Sequence, residues 1–332
     1  MLFSVPLFAS ILIAVFLLTS CATGKSVSDL VTSPAYANPG LFSFELVDLN
    51  WHDRARDRAV PARLYWPKVA SGQQVPLIIF SHGIGGSRSG YSYLGKYWAN
   101  HGYASLHLQH VGSDRSLWRG DVFSIIPRLQ NAANDNEAIQ RVHDLSFALD
   151  QLLASEYGVF INQNRIVAAG HSYGANTVML AAGANLARSG KNIQLRDTRI
   201  SAAIILSAPP FYGEDDFVPI LAGVRIPTLH ITCTEDTINI PGYVSPPSDR
   251  IKVFDAMGSS LKILTVFQDG SHSVFTDRAG TGGILLNAQI KAATQTLSLA
   301  FLRRIFDGAN EATLTWGNEN QPLVSQFIII EK

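Results

Sequence analysis

Residues 170–174 read Gly-His-Ser-Tyr-Gly, a G-x-S-x-G pattern. Such a pattern places a serine on a sharp strand-to-helix turn with its hydroxyl clear of the sheet, and glycines flank it because the turn leaves no room for side chains. A hydroxyl held that way is a nucleophile once a base takes its proton. His272, in Gln268-Asp269-Gly270-Ser271-His272-Ser273, is the expected base, and Asp236, in Thr234-Glu235-Asp236, is the expected acid that orients it. Glu235 is the competing acid. The chain order Ser172, Asp236, His272 is the one that accompanies this kind of turn.

A second glycine-rich stretch, Ser81-His82-Gly83-Ile84-Gly85-Gly86, can turn a backbone amide toward the nucleophile. The amides of Ile84 and Tyr173 are the expected pair of oxyanion donors. The chemistry these groups could perform is acyl transfer: attack on a carboxylic ester, an acyl-serine, and release by water. It needs no metal or organic cofactor, and no cluster in the sequence has metal-ligand spacing. His82 and His171 are expected to serve their glycine turns. His143 and Asp144 are expected as surface or pairing groups, and Asp215 and Asp216 as a solvated loop.

These residues need strands and helices to bring them together. Residues 42–50 and 62–66 are β-rich around a charged turn, which predicts an opening hairpin. The run 77–80 is continuously apolar, as in a strand covered on both faces, and 103–108, 165–169, 200–206, 228–232 and 261–267 are further strands. Helices are expected over 91–100, 137–153, 175–187 and 285–306, the second carrying one apolar stripe. Strands alternating with helices predict an α/β fold with a mostly parallel sheet flanked by helices on both faces. Each candidate site residue then falls just beyond a strand's C-terminal end. Residues 110–135 form an insertion that should overhang the site, with Trp118 or Phe123 lining it. Either 110–135 or 237–260 could act as a lid. The run 321–332 has no assigned place.

The chain of 332 residues is 47% apolar and 16% charged, a globular composition. Twenty-six basic residues balance 26 acidic ones, and without a basic excess or stripe nucleic acid is not an expected partner. The expected partner is a small-molecule or lipid ester.

The segment 76–108, with Phe80-Ser81-His82-Gly83 and Tyr103, resembles the bacterial α/β hydrolases called predicted dienelactone hydrolases. It is also similar to plasma-type platelet-activating-factor acetylhydrolases. The resemblance runs from about Phe42 to Ala309 and implies an α/β-hydrolase fold and hydrolysis of short-acyl or lipid-like esters. Two departures accompany it. The elbow carries Ser172 where dienelactone hydrolases carry cysteine. In the acetylhydrolases the acid follows the strand matching 200–206, where this chain has Ser207-Ala208-Pro209, so Asp236 on the following strand must serve instead. Peptidases, thioesterases and acyltransferases share this machinery. A non-catalytic binding protein on the same fold is a different class, and such scaffolds usually lack a member of the set that is complete here.

Residues 7–18 form an apolar run broken only by Ser10, the length of a signal-peptide core rather than a membrane span. Leu18-Thr19-Ser20-Cys21 follows and resembles the lipobox of bacterial lipoproteins, although no Lys or Arg precedes the apolar run. The expected organisation is a signal peptide over 1–20, a flexible tether over 21–41, a catalytic domain over 42–310 and a C-terminal extension over 311–332. Lipidation of Cys21 would anchor an exported protein to a membrane of the cell envelope, with Ala22 after the cysteine pointing to the outer one. It would also leave Cys233 unpaired.

Overall fold

Side chains alternate across the central strands. Leu77 and Ile79 pack into one apolar layer with Leu106 and Ala168, while Ile78 and Phe80 pack into the other with Val167 and Ala169. A strand with an apolar layer on each face reads as an unbroken apolar run, which is what residues 77–80 show. The computed structural model describes residues 42–70, 72–188, 191–240, 243–277 and 284–332. The expected signal peptide, the tether and Cys21 therefore lie outside the described residues.

Nine strands form one sheet: β1 (Phe44–Asp53), β2 (Arg58–Pro67), β3 (Val75–Ser81), β4 (Ala104–Leu108), β5 (Ile161–His171), β6 (Ala202–Leu206), β7 (Thr228–Glu235), β8 (Leu261–Ser271) and β9 (Val324–Glu331). Their spatial order is β1-β2-β4-β3-β5-β6-β7-β8-β9. The pairs from β4 to β8 are parallel, and β1, β2 and β9 add antiparallel partners at the edges. The expected opening hairpin is β1–β2, in register from Phe44 opposite Pro67 to Asp53 opposite Arg58.

Helices cover both faces. On one side lie α2 (Asp135–Leu153) and α3 (Tyr173–Ala182); on the other lie α1 (Ser92–Asn100) and α4 (Ile284–Asp307). Val142, Leu145, Leu149 and Leu152 form the buried stripe of α2, at spacings of three and four residues. The Asn134 side chain starts that helix by accepting the Glu137 amide at 2.8 Å. Among the described residues no helix is long and apolar enough to cross a membrane.

One expectation needs correction. The helix after the elbow ends at Ala182 rather than 187, because Gly183 turns left-handed at φ 117°, and Leu186–Arg188 leaves as a short strand. The run 321–332, which the sequence left without a place, contributes a strand to the sheet. Helix α5 (Asn310–Glu319) packs Trp316 between Phe267 and Phe327, at ring separations of 6.2 and 5.4 Å, and β9 completes the sheet edge against β8.

Five histidines are buried inside this frame: His82, His107, His110, His171 and His230. Burial pushes His107, His171 and His230 from the ordinary 6.5 down to about 3 and His110 to about 4, and it holds His82 well below 6.5. The unfolded chain takes up the protons of His107, His110, His171 and His230 near pH 6.5, while the folded chain does so only near 3–4, so stability falls as pH drops through that window. Each group contributes about 1.4 kcal/mol per pH unit there. Thermal scans should show a Tm that is flat above pH 7 and falls steeply below 6. An unchanged Tm at pH 4.5 would contradict the neutral, buried rings.

Candidate active site

Strand β5 runs directly into the elbow. Ser172 sits between β5 and α3 with φ 55° and ψ −123°, a left-handed conformation rare outside glycine. Its neighbours explain the two glycines. A Cβ on Gly170 would lie 2.3 Å from the Gly174 carbonyl oxygen, and one on Gly174 would lie 2.0 Å from that of Ser81. The Ser172 amide donates to Leu206 O at 2.9 Å, pinning the turn to the end of β6. Ser172 is 8% exposed, reachable but largely enclosed.

The structure brings three of the expected residues into hydrogen-bonding contact. His272, on a single turn after β8, lies with Nε2 2.8 Å from Ser172 Oγ and Nδ1 2.7 Å from Asp236 Oδ1. An ionised carboxylate only accepts, so Nδ1 carries the proton and Nε2 is left to accept from the serine. Asp236 is fully buried just past β7, whereas Glu235, one residue earlier, is exposed. Its second oxygen accepts from Ser207 Oγ at 2.5 Å and Thr232 Oγ1 at 2.7 Å, and Arg250 Nη2 stands 3.4 Å from the first. Burial works against ionisation here, but the hydrogen bonds from His272 and Ser207 and the charge of Arg250 outweigh it. The carboxyl is held well below its usual range.

The loop after β3 lies against the serine: a Cβ on Gly83 would come within 3.2 Å of Ser172 Cβ. Amides on either side of Ile84 are engaged, Gly83 N with Tyr91 Oη at 3.2 Å and Gly85 N with Ser113 O at 2.8 Å. The amides of Ile84 and Tyr173 have no protein acceptor among the described residues. Trp118, 43% exposed, donates Nε1 to Gly85 O at 2.8 Å and so rests on this loop. Phe123 is 91% exposed, which does not fit the expected role of lining the site. In the other candidate lid segment, Ile238–Ile240 pairs antiparallel with Tyr243–Ser245, and the helix Ser248–Ala256 that follows supplies Arg250.

Several supporting residues were not evident from local sequence. Arg141 on α2 is fully buried; it donates to His82 O, to Ser113 Oγ at 2.8 Å and to Thr177 Oγ1 at 2.9 Å, with its guanidinium 4.5 Å over the Tyr173 ring. Asp144 is a pairing group and not a surface one. It is buried between Arg56, Arg58 and His110, and His110 Nε2 in turn lies 3.1 Å from Ser81 Oγ. Ser81, His110 and Asp144 thus repeat the serine–histidine–carboxylate order, but all three are fully buried and face no opening. Ser207, just past β6, and Thr232, within β7, are the donors that satisfy the second oxygen of Asp236, a need that a buried carboxylate at that position implies.

Residues 59–140 match the family model described as Platelet-activating factor acetylhydrolase, isoform II. The chain is similar to the platelet-activating factor acetylhydrolases and has their α/β-hydrolase fold. A relative described as Platelet-activating factor acetylhydrolase, from Cavia porcellus, is 26% identical over 155 residues, 36% of this chain. The match spans 34% of that relative's own length. The family segment covers β2 to the first turns of α2 and carries the 81–86 loop, while Ser172, Asp236 and His272 lie beyond it.

Proposed function

We propose that this chain is a serine hydrolase that cleaves carboxylic esters of short-acyl or lipid-like kind. The observation that carries the reading is the unbroken series Asp236–His272–Ser172, at 2.7 and 2.8 Å, with the amides of Ile84 and Tyr173 meeting no acceptor among the described residues. In this reading His272 Nε2 takes the Ser172 proton as Oγ attacks the ester carbonyl. The oxyanion is met by the amides of Ile84 and Tyr173, each worth about 10²–10³ in kcat. The tetrahedral intermediate collapses, His272 hands its proton to the leaving alkoxide, and an acyl-serine remains. Water then attacks the acyl carbon while His272 takes its proton. The second collapse releases the acid and returns the proton to Ser172. Asp236 stays ionised and holds the Nδ1–H tautomer throughout.

The similarity to the acetylhydrolases supports ester hydrolysis and a lipid-like substrate at this coarse level. Residues 1–20 are read as an export signal and Cys21 as the site of a lipid anchor in the cell envelope. One experiment tests both parts. Protein from the native envelope fraction is assayed on p-nitrophenyl esters of rising chain length, treated with a fluorophosphonate and digested for mass spectrometry. Turnover of the esters, the phosphonyl group on Ser172 and diacylglycerol on Cys21 are expected. Phosphonylation of a different residue overturns the enzymatic reading, and an unmodified, freely soluble N-terminus overturns the anchor.

A further inference from the structure

A second series of hydrogen bonds crosses the site beneath the first. The Gly83 amide lies 3.2 Å from Tyr91 Oη, which lies 2.8 Å from His171 Nδ1, and His171 Nε2 lies 2.9 Å from the backbone oxygen of His272. The two ends fix every proton between them. The His272 carbonyl can only accept, so His171 carries its proton on Nε2. A neutral ring then accepts at Nδ1, so Tyr91 donates to it and its oxygen receives the Gly83 N–H. Burial and the neighbouring His272 keep His171 neutral at working pH.

This series joins three separate pieces of chain: the loop after β3, the elbow residue before the nucleophile, and the turn that carries the base. It is built with strain. Tyr91 is a buried non-glycine residue at φ 56°, and its ring is packed 4.7 Å from Phe80 and 5.5 Å from His171. A bulky side chain in that backbone region persists only where its surroundings over-determine it. The series also decides which amides face a substrate. Gly83 N is spent on Tyr91 and Gly85 N on Ser113, so the amide between them, that of Ile84, is the one left over.

We propose that Tyr91 and His171 are positioning residues that lock the His82–Gly83 peptide, and through it the adjoining Ile84 amide, to the His272 turn, setting oxyanion donor and base in one frame around Ser172. The proposal rests on the ester-hydrolase reading. Removing the Tyr91 hydroxyl deletes two bonds at once: Gly83 N–H loses its acceptor and His171 Nδ1 its donor. The loop then turns to find another acceptor, and the Ile84 amide no longer meets the developing oxyanion.

Tyr91→Phe keeps the ring and its packing, so it isolates the hydroxyl. On p-nitrophenyl acetate it should lower kcat by about 10- to 100-fold, as expected when an oxyanion donor is misaimed. KM should stay within about twofold, because the unreacted carbonyl makes little of that contact. Affinity for phenylboronic acid, which forms a tetrahedral adduct on the serine, should fall by a similar factor. His171→Leu breaks the series at its middle and should give the same split, and the double variant should lose little more than either single one. Whichever variant is folded decides the matter. A folded Tyr91→Phe or His171→Leu with kcat within about twofold of wild type overturns the positioning role, and so does a loss confined to KM. Ser172→Ala, run alongside, separates the two readings: abolished turnover there with unchanged turnover in Tyr91→Phe sinks the positioning role alone, and retained turnover in Ser172→Ala sinks both.

Discussion

Ser172→Ala is expected to lower kcat on p-nitrophenyl esters by about 10⁶-fold while the protein stays folded. The size of the loss follows from the site's division of labour. Every proton that His272 moves, to the leaving alkoxide or from the attacking water, serves an intermediate bonded to one oxygen, so without that oxygen the Asp236–His272 pair has no intermediate to form or resolve. His272→Ala should give a loss of the same order, and the double variant should be no worse than either, because residues that act as a unit are not additive. The fold should tolerate the change. The hydroxyl's hydrogen bond runs to His272 at 2.8 Å, and alanine can take the same backbone path as serine at φ 55°. Residual activity of about 10³-fold over water should persist from the Ile84 and Tyr173 amides. Wild-type turnover in Ser172→Ala, with a normal circular dichroism spectrum, would remove this residue from the chemistry.

The elements that carry these groups were legible because their signals are local. Residues 77–80 are apolar without a break, and the β3 strand they predict is covered on both faces. The elbow is legible for a similar reason: a Cβ at Gly170 or Gly174 meets backbone atoms at 2.0–2.3 Å, so the glycine spacing is a steric requirement. What was not legible depends on partners distant in sequence. Phe327, Ile328, Ile329 and Ile330 show no alternation, and only pairing with β8 tells them apart from a buried helix segment. Asp144 and Arg58 are 86 residues apart, and nothing near either says that the two meet. Tyr91 and His171, 80 residues apart, are of the same kind. A histidine in the variable position of the elbow motif gives no hint that its ring ties two loops together.

Asp236→Asn should lower kcat by about 10⁴-fold, whereas Glu235→Gln should leave it within about twofold. Two acids adjacent in sequence differ this much because the chain turns between them: Glu235 ends β7 at the surface, and Asp236 enters a closed cradle. That cradle dictates how an asparagine would sit. Ser207 and Thr232 both donate to Oδ2, at 2.5 and 2.7 Å, and only the amide oxygen can accept them. The NH2 group is therefore turned toward His272 Nδ1, which must give up its proton and accept instead. The ring then carries its proton on Nε2, the atom that has to receive the Ser172 proton, and the base is lost although every side chain keeps its place. Arg250, 3.4 Å away, also loses its carboxylate partner, so some stability should go with the activity. Adding Ser207→Ala and Thr232→Val to Asp236→Asn frees the amide to flip its oxygen toward Nδ1, and part of the lost turnover should return. A larger loss from Glu235→Gln than from Asp236→Asn would place the acid one residue earlier, on a side chain that the fold leaves in solvent.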